Sequence, residues 1–123
     1  MMIEEMQEKI MQRIADVGGH ATFVELGKLL FPDENGTHCV SIAERPNTIL
    51  WSDMSEQLAS AFQGLLEDKK ITYTPTPPLT YMIDGGMLKM PIARARRNYK
   101  ELHWLPVVLN RTDGVGLRER RFK

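Results

Sequence analysis

The chain has 123 residues, with 16 Lys and Arg balanced by 16 Asp and Glu, one cysteine and 42% hydrophobic residues. That length suits one domain, that composition excludes wholesale disorder, and a lone Cys39 excludes a disulfide scaffold. The acidic start Met1-Met2-Ile3-Glu4-Glu5 and the lack of any long apolar run point to a cytosolic protein that does not enter membranes.

Ile3, Met6, Ile10, Ile14 and Val17 recur at steps of three and four, which predicts a first helix ended by Gly18-Gly19. Thr22-Phe23-Val24-Glu25 matches a capping box, and Leu26, Leu29 and Leu30 continue it as a short helix stopped before Pro32. Residues 32–48 read as a long connection with turns at Asp33-Glu34-Asn35-Gly36 and Arg45-Pro46-Asn47. A short strand around Val40 and Ile42 fits inside it. Ser52, Asp53 and Ser55 are cap candidates for a helix whose stripe is Leu58, Ala61, Phe62, Leu65 and Leu66, closed by Asp68-Lys69-Lys70. Ile71-Thr72-Tyr73-Thr74 and Leu79-Thr80-Tyr81-Met82-Ile83 flank Pro75-Thr76-Pro77-Pro78 and predict a β-hairpin. Asp84-Gly85-Gly86 signals a further turn, and Met87-Leu88-Lys89-Met90 a third strand. Leu102, Trp104, Leu105, Val107, Val108 and Leu109 read as an extended segment packing on the domain.

Zero net charge conceals an asymmetry. Residues 1–88 carry 6 basic and 13 acidic side chains, whereas residues 89–123 carry 10 basic and 3 acidic ones. The expected organisation is therefore a domain over residues 1–90 and a basic extension over 91–123. Arg118, Arg120, Arg121 and Lys123 read as a frayed tail.

The order helix, short helix, insertion, helix, hairpin resembles a winged-helix domain over about residues 3–84. The run Leu65-Leu66-Glu67-Asp68-Lys69-Lys70-Ile71 and the aromatic Tyr81 on the return strand carry the likeness. The long 32–48 connection and the segment after residue 88 depart from that pattern. Size and basic tail are also similar to small proteins of prophages and other mobile elements. The resemblance implies an α+β fold, a three-helix core with a small antiparallel wing, and DNA contact through the third helix. The outward residues of that helix, Glu56, Gln57, Ser60, Gln63 and Glu67, hold no cation before Lys69 and Lys70. Since phosphate neutralisation dominates non-specific affinity, recognition-helix docking is disfavoured.

The expected nucleic-acid contacts are instead Arg94, Arg96, Arg97 and Lys100, interleaved with Tyr99 and followed by His103-Trp104, with Lys69 and Lys70 in support. Protein interaction, including a homodimer, is the alternative, with Trp51 and Trp104 as hot-spot candidates. No metal is expected, because His20, His38, Cys39 and His103 lack ligand spacing, and Cys39 reads as a free, partly buried thiol. Gly114-Val115-Gly116 lacks a dinucleotide fingerprint, no phosphate-loop motif occurs, and Pro75-Thr76-Pro77-Pro78 reads as a stiff hairpin tip rather than a peptide ligand. Neither a cofactor nor enzymatic activity is expected.

Overall fold

A computed structural model describes residues 2–117. Helix α1, Ile3–Asp16, buries Met6, Ile10 and Ile14, the middle of the predicted stripe. Gly18 and Gly19 end it at positive φ, with the Gly19 amide donating to the Ile14 carbonyl.

Thr22 makes one of the two bonds of the expected capping box. Its hydroxyl accepts from the Glu25 amide at 3.2 Å and donates to Asp84 Oδ2 at 2.7 Å. The element is not the expected α-helix but a π-helical segment, Val24–Leu29. The wider turn keeps Val24, Leu26 and Gly27 buried and leaves Leu29 61% exposed.

The long connection is a hairpin. Strands β1, Asn35–Ile42, and β2, Arg45–Met54, pair antiparallel through an irregular register. Thr48, Ile49, Leu50 and Trp51 are buried consecutively, the pattern of a strand covered on both faces. The expected short strand around Val40 and Ile42 is the end of β1, whereas continuous burial hides the alternation by which strands announce themselves and leaves β2 without a sequence signal. Cys39 is exposed on β1, correcting its expected partial burial.

Helix α2, Glu56–Glu67, is capped by Ser55, whose hydroxyl accepts from the Leu58 amide at 3.1 Å. It buries Leu58, Ala61, Phe62 and Leu65 as predicted, and α1 packs against it. Strand β3, Ile71–Pro75, follows.

The expected wing does not form. Residues Pro78–Ile83 are a short helix, α3, in place of the return strand. Pro78 presets its first turn, and the apolar run 79–83 fits either periodicity. Residues 87–90 form no strand either. The partner of β3 is β5, Val107–Arg111, in an antiparallel register that sets Tyr73 opposite Leu109. Strand β4, His103–Trp104, pairs in parallel with β2, so the three-stranded sheet has the order β1-β2-β4. The architecture is α+β, with two small sheets and helices around one core.

The segment after residue 90 belongs to that core. Trp104, Val107 and Leu109 are fully buried, and Ala21 exchanges backbone hydrogen bonds with Leu109. The expected boundary at residue 90 thus runs through a single packed unit. The tail cations Arg118, Arg120, Arg121 and Lys123 lie outside the described residues.

Trp51 and Trp104 are core residues, which corrects their expected place at an interface. They are 8% and 0% exposed, and with Tyr81 they form a ring cluster with centroids 5.1–5.9 Å apart. The Trp104 indole donates to the Leu50 carbonyl at 3.2 Å, which satisfies its polar atom inside the core.

Candidate nucleic-acid interface

The basic residues 94–100 sit on a loop between the isolated bridge Ile92–Trp104 and β4. Its base is fixed by backbone bonds from Ala93 to the Trp104 carbonyl and from Trp104 to the Pro91 carbonyl, both 2.8 Å. Its tip is fixed by Tyr99. The phenol oxygen accepts from the Arg94 and Ala95 amides at 3.1 Å each, and the hydroxyl donates to the Ala95 carbonyl at 3.3 Å. These bonds hold the phenol below its ordinary pKa, the Ala95 backbone contact contributing most. Asn47 on β2 donates to the Tyr99 carbonyl at 2.8 Å.

The Tyr99 ring is already engaged. His103 stacks on it at 3.7 Å between centroids, and the Arg97 guanidinium lies 4.8 Å from its centre. Tyr99 is therefore the pin of the loop rather than a free platform for a base. His103 is oriented in turn by Nδ1, 2.9 Å from the Glu101 carbonyl.

This construction leaves Arg94, Arg96, Arg97 and Lys100 exposed. None of the four forms an ion pair among the described residues, where the one salt bridge joins Arg111 to Asp113. Arg97 and Lys100 border one shallow cavity with Tyr99 and His103. Arg94 and Arg96 border another, together with Arg45 at the start of β2. Arg45 was not among the expected contacts. It reads as part of a turn, and only the parallel pairing of β2 with β4 carries it to the loop.

Lys69 and Lys70 go elsewhere. They follow α2, where Lys69 takes the left-handed conformation at φ 56° that ends the helix. Both line a groove of about 840 Å³ with Glu4, Glu8, Arg111 and Asp113. Carboxylates share that groove, so it is a poorer phosphate site than the loop. No protein-family model, no curated protein and no solved structure matches this chain.

The exposed face of α2 carries Glu56, Gln57, Ser60 and Glu67, with Gln63 half-buried, and remains acidic in the fold. Glu25 and Asp84 form the other titratable pair beside Thr22. The Glu25 carboxyl is pushed above its ordinary pKa, first by burial and then by the Asp84 charge. No group of three or more His, Cys, Asp or Glu side chains converges on a metal-sized site among the described residues. No helix there is long and apolar enough to cross a membrane.

Proposed function

We propose that the chain is a non-enzymatic, nucleic-acid-associated module that holds phosphates on the loop 93–101. The observation that carries this reading is the set of four exposed cations, Arg94, Arg96, Arg97 and Lys100, free of ion pairs among the described residues and held on a loop pinned by Tyr99. A preordered loop loses little conformational freedom when it binds, so its charge is converted into affinity efficiently. The acidic exposed face of α2 opposes the approach of phosphates, so the loop rather than that helix carries the contact.

The test is oligonucleotide binding followed by fluorescence anisotropy across a salt series. Four phosphate contacts on a single strand give a slope of about −3 in log K against log salt. Changing Arg94, Arg96 and Arg97 to Ala is expected to shrink that slope by about two and remove binding at physiological salt. Binding with an unchanged slope in the triple variant would refute the reading.

A second reading, self-association, is favoured by one observation. Leu79, Met82 and Ile83 lie on one side of α3 and are 55–76% exposed, while Tyr81 opposite them is fully buried. Sedimentation velocity is expected to show a reversible dimer that Ile83→Glu dissociates. A monomer at every concentration removes this reading.

A further inference from the structure

Between β2, β3 and the start of the basic loop lies a cavity of about 280 Å³, bordered by Arg45, Arg94 and Arg96. Among the described residues, no carboxylate lines it. Thr48 stands in its wall at 1% exposure, and the Thr48 hydroxyl has no hydrogen-bond partner among the described residues. Strand pairing fixes its backbone, since Thr48 lies beside His103 in the β2/β4 register. A buried hydroxyl left without a protein partner is costly, and a ligand oxygen in the cavity would offset that cost. Tyr73, Pro75 and Leu105 complete the wall with a ring and two apolar surfaces. The cavity is close to the lower end of small-ligand sites in size.

We infer that this cavity is a nucleotide pocket, in which Arg45, Arg94 and Arg96 hold a phosphate ester, Thr48 completes its hydrogen bonding and Tyr73 packs against the base. Guanidinium forks match phosphate oxygens in shape and charge, and a threonine hydroxyl donates to the same oxygens. The inference deepens the reading of the loop as a phosphate-binding element and gives it a subsite for one unit of a strand. The same chemistry is offered by a free mononucleotide or by inorganic phosphate, and the experiment separates these sources.

The full chain is titrated with inorganic phosphate, thymidine 5′-monophosphate and a thymidine oligonucleotide. Affinity is read by calorimetry, and the site by amide shifts in 15N-resolved spectra. The mononucleotide is expected to bind more tightly than phosphate and to shift Thr48, Tyr73 and Arg94. Arg45→Ala is expected to weaken it about tenfold, the loss of one charge-assisted contact. Thr48→Val is expected to weaken it about threefold while raising the melting temperature, a pair of changes that a purely structural hydroxyl does not produce. Lys9→Ala on α1 removes one positive charge outside the cavity's lining and is expected to change nothing.

Equal affinity for phosphate and mononucleotide overturns the base-packing wall. Unshifted cavity amides, with oligonucleotide binding that still depends on Arg94, Arg96 and Arg97, overturn the pocket and leave the loop reading standing. Mononucleotide binding that is lost in Arg45→Ala, without any oligonucleotide binding, does the reverse. No binding of any probe overturns both.

Discussion

Replacing Trp104 by Ala is expected to remove about 3–5 kcal/mol of folding stability, the range for deleting a fully buried large aromatic side chain. Trp104 is 0% exposed, its ring contacts those of Trp51 and Tyr81, and its indole ties it to the Leu50 carbonyl. Its backbone also joins β4 to β2. A small domain holds only about 5–15 kcal/mol in total, so the variant stands close to the edge of folding. Urea denaturation followed by circular dichroism measures this. Trp104→Phe separates packing from hydrogen bonding: it keeps much of the ring volume, removes the indole bond to the Leu50 carbonyl and is expected to cost about 1–3 kcal/mol. A Trp104→Ala midpoint close to the parent's would show that the side chain is not central.

The second large effect is at Tyr81. Its buried hydroxyl accepts from the Phe23 amide at 3.2 Å and donates to the Val107 carbonyl at 2.6 Å, joining the segment before the π-helical turn to β5. Tyr81→Phe leaves two buried backbone groups without a partner, at about 1–3 kcal/mol each. The same residue makes stability depend on pH in the alkaline range. Burial raises the phenol pKa well above its ordinary value, outweighing the lowering by its two hydrogen bonds. The folded chain therefore keeps this proton at a pH where the unfolded chain has released it. The stabilising contribution is complete below about pH 10, the pKa of a free tyrosine, and is lost as pH rises towards the folded value. Over that window the parent is expected to lose about 1.4 kcal/mol per pH unit more than Tyr81→Phe. Denaturation midpoints from pH 8 upward test this, and parallel profiles would refute it.

The two long helices, the second sheet and the two tryptophans show where sequence alone is informative. The stripes of α1 and α2 were legible because each helix buries one face only, and 3.6-residue periodicity reports such faces directly. The Ser55 and Thr22 caps were legible for a local reason, since a cap bonds to a residue three positions on. The second sheet was not. Pairing β3 with β5 rather than with residues 79–83 depends on a partner some 35 residues away, and the local pattern around Pro77-Pro78 fitted a hairpin equally well. Trp51 and Trp104 signalled importance without location, because the same large amphipathic ring suits a core and an interface.

The basic loop was readable as a cluster of charge, and its separation from Lys69 and Lys70 was not. Charge patterns give sign and spacing, whereas the fold decides which cations share a surface. Arg45 and Thr48 belong to the cavity through the parallel register of β2 with β4, a long-range fact with no local trace.

Strand β5 also bears on how fast the chain can reach its native state. Leu109 completes the pairing of β3 and bridges to Ala21, so the core closes only when residues far apart along the chain meet. Bringing such ends together costs loop entropy before any contact offsets it, which slows the search for the native topology. During synthesis, α1 and the hairpin emerge well before Trp104 and Leu109, and they must wait with apolar faces uncovered. The same strand that seals the finished core thus lengthens the interval in which apolar faces of the nascent chain lie open to aggregation.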